Sequence, residues 1–361
     1  DVQQAIHCVE ASLALYTALD HEQTASRELP LAHLLSGAPP THPLTKRAAE
    51  AWCWGLLAAA QVHAGQVHNS LRSARIARAL AHESKNGWAH ITSTLCLTSA
   101  LLDAGAYEEA FVLMHHTMAL ARSLAPAILL PRFLTTLGRV YHALQQWEEA
   151  QAALAEAAAV AATVGLGPAR VPGLSQLCMH YALAGQWEAA SHYAVQAIAL
   201  RQSQGAALIL GDFCRQYETE ALLRAGEERQ ARAEVQRQGE RVGPSVRLRL
   251  PYLRSLAVLA AWDGHSAQAI DHLHEAAQLA ADFDLPAERW QIQATLATLY
   301  EAGGEPEQAH TAFAEAARLI QGLAQGIGDE ARRAHFLAAP QIQQVLQHAQ
   351  RLASPVLQDY V

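Results

Sequence analysis

Residues 134–150 read LTTLGRVYHALQQWEEA. Leu134, Leu137, Gly138 and Tyr141 share one face of a helix, because residues three and four apart are neighbours on its surface. Gln145 and Gln146 interrupt the pattern, and Trp147 follows. Glu148 and Glu149 then open a second helix, where acidic side chains meet the positive end of its dipole. Ala150 starts a second buried stripe that continues through Leu154 and Ala157. The stretch therefore encodes helix, turn and helix, with a small residue where the two helices must approach.

The same grammar recurs on both sides. Turn residues at Gly65, Gly105, Gln145, Gly185, Gly226, Gly264 and Gly304 are each followed five positions later by a small residue. These anchors are Ser70, Ala110, Ala150, Ala190, Ala231, Ala269 and Ala309, with successive spacings of 40, 40, 40, 41, 38 and 40. A fixed period of this length marks a stack of supersecondary units, each unable to bury its apolar face alone. Glycine suits the turn because it reaches positive φ without a Cβ penalty.

The pattern of Leu134, Leu137, Gly138, Tyr141 and Trp147, repeated by Leu177, Tyr181 and Trp187 and by Leu296, Ala297 and Tyr300, resembles the tetratricopeptide repeat. The resemblance spans about residues 44–324 and is weak in the fifth unit, where Arg215, Glu218 and Thr219 take apolar or small places. It implies an all-α solenoid, a right-handed superhelix of about seven helical hairpins. A period of 40 rather than 34 lengthens each helix by almost a turn. At least twelve antiparallel helices and no sheet are expected. Residues 1–43 hold N-terminal helices and a break at Gly37 to Pro43; residues 325–361 hold capping helices split at Pro340.

Composition agrees. Of 361 residues 51% are hydrophobic but only 6% aromatic, an Ala- and Leu-rich mixture that suits close-packed helices and excludes disorder. The net charge of −8 disfavours direct nucleic-acid binding, and no apolar run is long enough to span a membrane. Lys46 and Lys85 are the two lysines, and neither follows a glycine as a phosphate loop requires. Cys8, Cys53, Cys96, Cys178 and Cys214 form no CxxC and read as buried helical thiols of a reducing, cytoplasmic compartment. Gly165-Leu166-Gly167 reads as a loop. His115-His116 and His272-x-His274 point to different helix faces, so no metal site is expected. No motif of a hydrolase, metalloprotease or nucleotide-binding enzyme is present, and neither a cofactor nor catalysis is expected.

Binding in such a solenoid belongs to the concave groove lined by the first helices. Arg132, Thr135, Arg139 and His142 fall on one helical face of unit three. Equivalent places are Trp52 in unit one, Ser175 and Met179 in unit four, Gln216 and Glu220 in unit five, Arg254 in unit six and Gln291 in unit seven. Arg215, one position out of register in the irregular unit, joins them. Arginine forks suit carboxylates and phosphates. Trp147 and Trp187 sit at a structural place of the repeat and read as packing.

The C-terminal stretch from Leu323 through Asp329-Glu330, Arg333-Ala334, Phe336 to Pro340, Ile342 and Val345-Leu346 is similar to the end of the helical-repeat region in bacterial STAND-class signal-transduction ATPases, including maltose-regulon-type activators. That resemblance implies a C-terminal sensor arm, working with an upstream nucleotide-binding domain of the same polypeptide. Its partner would be a peptide, protein or small effector in the groove. The alternative is a constitutive interaction scaffold without a switch, and the sequence upstream of Asp1 separates the two.

Overall fold

The structure, a computed structural model, describes residues 2–18, 45–124, 129–163, 167–203, 214–243 and 245–352. Among them are seventeen helices and no strand. Helix α1 (Val2–Ala18) packs Ile6, Val9 and Leu13 against Cys53 and Leu57 of the first unit. Seven hairpins follow, formed by α2 (Lys46–His63) and α3 (Val67–Ser84), α4 (Gly87–Asp103) and α5 (Tyr107–Leu124), and α6 (Leu129–Ala143) and α7 (Trp147–Thr163). They continue through α8 (Gly167–Leu183) and α9 (Trp187–Ser203), α10 (Arg215–Arg224) and α11 (Glu228–Arg241), and α12 (Val246–Trp262) and α13 (Ser266–Asp282). The last hairpin is α14 (Pro286–Ala302) with α15 (Pro306–Gln325), followed by α16 (Glu330–Ala338) and α17 (Pro340–Leu352). The expected break at 37–43 and the tail beyond residue 352 lie outside the described residues.

Every hairpin turn falls where the repeat places it. Six turn glycines have φ between 72° and 80°, and Gln145 adopts the same left-handed conformation at 62°. The first helix closes by a bond reaching back five residues, as from Gln146 N–H to Tyr141 O and from Ala106 N–H to Leu101 O, both 2.8 Å. All seven anchors are fully buried. Ser70, the polar one, donates its hydroxyl to Ala58 O at 2.9 Å and so leaves no unpaired group in the contact. On the facing helix a Cβ at Gly138 would sit 2.7 Å from Leu154 Cγ, so the glycine admits the stripe of its partner helix.

The solenoid returns on itself. Helix α2 of unit one touches α12 of unit six, and α4 of unit two touches α14 of unit seven. The seam between these turns is tight: a side chain on Gly65 would collide with Phe283, and one on Gly105 with Leu323. His63 Nδ1 meets Ser245 Oγ at 3.1 Å, and Asp103 pairs with Arg247 inside the seam. Beyond unit seven, α16 reaches back to unit two and the turn of unit three. Tyr107 packs on Phe336, and His335 Nε2 meets Gln145 O at 3.1 Å.

Two smaller expectations change. Gly167 is the first residue of α8 rather than part of a loop. Among the cysteines, Cys8 is exposed on α1, Cys96 is half-buried and Cys214 lies one residue before α10; Cys53 and Cys178 are the buried helical pair. The polar intrusions of unit five have a structural partner. Glu218 accepts from Arg201 at 2.5 Å and from Ser175 Oγ at 2.5 Å, while Glu234 accepts from Arg201 at 2.8 Å. A buried arginine held between two carboxylates stays charged because each charge is paired.

Candidate functional site

Where the second superhelical turn meets the first, the concave face holds a half-open cavity of about 420 Å³. Its walls come from α4 to α8, α10, α12, α14, α15 and the two cap helices. The seam described above brings residues far apart in sequence into one lining.

The polar end is built from opposite charges held in pairs. Arg254 of α12 donates to Glu288 of α14 at 2.6 Å and to Gln291 Oε1 at 3.3 Å, with its guanidinium 6.0 Å from the Tyr217 ring centroid. Burial pushes the Glu288 carboxyl up to about 7, and Asp103 adds to this, although Arg254, Arg247 and Arg139 pull the other way. Asp103 lines the same end and is held by Arg247. Arg139 of α6 completes it, reaching Ser99 Oγ at 3.5 Å.

The other end is aromatic. His142 stacks on His180 with centroids 5.4 Å apart, and Trp147 leans on both rings. His142 Nδ1 meets Gln176 Oε1 at 3.3 Å and Nε2 meets His180 Nδ1 at 3.1 Å. Burial, with His180 beside it, holds the His142 imidazole down to about 3. Gln145 donates its side-chain amide to His142 O at 3.2 Å, but its Oε1 is buried on the cavity wall without a hydrogen-bond donor. Phe336, packed on Tyr107, and Trp290 also belong to the lining.

The candidate residues divide. Arg139, His142, Met179, Arg254 and Gln291 come together on the cavity wall. The others lie elsewhere, most of them against neighbouring helices. Trp52 packs on Trp88, ring centroids 4.7 Å apart and tilted by 44°, and Arg132 lies half-buried beside Cys96. Thr135 is buried against Gly173, and Ser175 is bound to Glu218. Arg215 approaches Glu234 at 3.8 Å, Gln216 is buried, and Glu220 accepts from Arg224 at 2.9 Å. Apart from Glu220, whose partner is on its own helix, these places carry inter-repeat packing, because a helix of a tightly wound solenoid touches neighbours on nearly every side. Trp147, read as packing, both packs on the histidines and lines the cavity.

Sequence reasoning missed Asp103, Glu288 and Phe336 as lining residues; Trp290, at the start of a first helix where a ring could reach the groove rim, reads from sequence as inter-repeat packing and lines the cavity. For Glu288 a signal exists. Arg254 and Glu288 are 34 positions apart, as are Arg75 and Glu109, and Arg122 and Glu156, all of them ion-paired. An arginine followed by glutamate at this interval marks a bridge from one hairpin to the next. Among the described residues, no group of three or more His, Cys, Asp or Glu is placed to hold a metal, and no helix is long and apolar enough to cross a membrane.

Comparisons with known proteins bear on the fold. No protein-family model and no curated protein matches the sequence. The solved structures do. The crystal structure of the APC/C hetero-tetramer Cut9–Hcn1 is similar with a TM-score of 0.52 at 12% identity, over 96% of this chain and 59% of that one. The fold is tetratricopeptide-like. A Rap protein complexed with competence and sporulation factor is also similar, with a TM-score of 0.47 at 16% identity, over 77% of this chain and 66% of that one. Yeast Tom70 gives 0.38 at 13% identity, over 96% and 75%. This chain spans less than two thirds of the length of the first two.

Proposed function

We propose that the chain is a recognition module that takes a peptide, a protein segment or a small effector into the lumen of its superhelix, and that it serves as the sensor arm of a larger signalling ATPase. The observation that carries the recognition reading is the cavity itself. It combines aromatic faces, fixed charges and amide groups on rigid helices, the composition of a binding site rather than of a packed core. The similarity of residues 323–346 to the end of STAND-class repeat regions supports the sensor role. In that role a ligand shared between the two superhelical turns stabilises their closed arrangement, and the change reaches the attached nucleotide-binding domain.

A hexapeptide pool and a set of small metabolites, screened by thermal shift and followed by calorimetry, test recognition. A hit raises the melting temperature of the wild type but not of Ala294→Trp, which fills the cavity from α14. Hits that shift both proteins equally favour the outer surface and hence the scaffold alternative. A coding sequence upstream of Asp1 without a nucleotide-binding domain removes the sensor role while leaving recognition intact.

A further inference from the structure

We infer that this chain assembles end to end with further copies of itself. The open hairpin turns of one copy seat on the open inter-hairpin edge of the next, as the chain's own superhelical turns seat on each other. Assembly of this kind does not depend on what the cavity holds.

The seam supplies the template. Its contacts join the hairpin turns of the first units to the opposite edge of the array, where one hairpin passes to the next. Phe283 lies over Gly65 and Leu323 over Gly105. Each of these apolar residues stands nineteen positions after the turn glycine of its own unit, Gly264 for Phe283 and Gly304 for Leu323. The residue two positions before a turn glycine reaches across as well: His63 meets Ser245, and Asp103 pairs with Arg247 at the start of a first helix. Two places in the repeat therefore build the seam, one on each edge.

The same two places recur, exposed, on the free edges. Leu124 stands nineteen positions after Gly105, ends α5 and is 55% exposed. Trp262 stands two positions before Gly264, ends α12 and is 48% exposed. Among the described residues these are the two most exposed large apolar side chains. The turns divide in the same way. Those at Gly65 and Gly105 are covered, whereas an added Cβ at Gly185, Gly226, Gly264 or Gly304 meets no atom within 4 Å. A stacked array keeps its terminal surfaces soluble by making them polar, so a large apolar side chain on each free edge marks an unfilled contact.

Charge agrees with this pairing. In the seam the turn edge supplies the carboxylates of Asp103 and Glu108, and the opposite edge supplies the guanidiniums of Arg247 and Arg332. From turn glycine to small anchor, the four open turns hold five glutamates and one arginine. On the other free edge, where Leu124 packs on Gly87, Lys46, Arg47 and Lys85 outnumber Glu50 and Glu83, both of which Arg47 already engages. A second copy brings to each edge the apolar side chain and the sign of charge that the seam pairs there. The two surfaces differ and lie on opposite edges of the array, so the contact is heterologous and leaves a free edge at each end for the next copy.

The experiment is sedimentation velocity on the whole chain from about 1 to about 500 µM at low salt, beside Leu124→Glu and Trp262→Glu, each of which blocks one edge. The wild type should grow past the dimer as concentration rises, and about 0.5 M salt should weaken assembly by about tenfold or more. Each variant alone should assemble at least about tenfold more weakly, with a thermal melt close to that of the wild type because both side chains are exposed. An equimolar mixture of the two variants should form dimers and stop there, since each retains the edge that the other has lost. A wild type that stays monomeric throughout overturns the inference and leaves the two edges to a protein of different sequence. Undiminished assembly of either variant overturns it. So does a mixture that stays monomeric, because Leu124 and Trp262 would then not lie on opposite sides of one contact.

Discussion

Arg247, at the start of α12, pairs with Asp103, at the end of α4, across 144 positions of sequence, and both side chains are almost completely buried. The pair belongs to no hairpin. It joins one superhelical turn to the next, beside the cavity. Removing one partner leaves a buried charge without compensation, so Arg247→Met should cost about 3–5 kcal/mol in urea denaturation. Replacing both, as Asp103→Leu with Arg247→Met, should cost less than either single change. A double variant whose loss equals the sum of the two singles would show that the pair is not coupled.

Arg332 latches the cap in a similar way. Its guanidinium lies 3.8 Å from the Phe111 ring centroid and donates to Glu108 at 2.5 Å, 224 positions away. Arg332→Ala should raise amide hydrogen exchange in α16 and α17, with units four and five unaffected. Exchange rising uniformly along the chain would place the latch elsewhere.

Gln145 is the exception among the seven hairpin turns. A non-glycine residue at φ 62° is strained by its Cβ, and here it also buries an unpaired oxygen. Gln145→Gly should therefore stabilise the chain by about 0.5–1 kcal/mol, with the relief of strain exceeding the greater freedom of glycine when unfolded. At Gly185 nothing lies within 4 Å of an added Cβ, so Gly185→Ala isolates the conformational cost. It should destabilise by about 1 kcal/mol. Thermal melts of the two variants moving in the same direction would contradict the assignment.

The small anchors set how closely the helices of a hairpin approach. Ala150 and Ala309 have no exposed surface. Ala150→Trp or Ala309→Trp should force the contact apart and cost roughly 1–3 kcal/mol or more. An unchanged denaturant midpoint in both would remove the anchors from that role.

Protonation acts on stability in two opposed ways. Burial, then Arg247, holds His63 down to about 4, and burial, then His180, holds His142 down to about 3. Their folded values lie below the unfolded 6.5, so their stabilisation is complete above that pH and is lost as pH falls. Between pH 7 and 5 each loses about 2 kcal/mol. Glu288, raised by burial from 4.5 to about 7, works in the other sense. Its contribution is complete below 4.5 and is lost as pH rises through 7, so acidification to pH 5 returns about 2 kcal/mol. Glu288→Gln should therefore lose stability more steeply than the wild type between pH 7 and 5, and His63→Gln less steeply. Denaturation midpoints across that range check both signs; parallel curves for all three proteins would refute them.

The hairpins were legible in the amino-acid sequence because everything that forms them is local. A positive-φ turn, an acidic first turn and a small residue five positions on act within a few residues of one another. For that reason Gly65 to Gly304 and Ser70 to Ala309 fall where the period places them. The inward direction of Arg139, His142, Met179, Arg254 and Gln291 was legible too, since it follows from helical spacing alone. Pitch was not. The rotation from one hairpin to the next is small, set by the packing of many side chains, and it accumulates over five units before α2 meets α12. No local pattern encodes whether the turns then touch. Tertiary structure alone brought Asp103 to Arg247 and Phe336 to Tyr107, gathered residues of distant units around one half-open cavity, and left Trp52, Ser175 and Gln216 between helices instead of beside it. The physical reason is that contacts across the seam depend on the summed geometry of the whole array, whereas each hairpin depends only on its own forty residues.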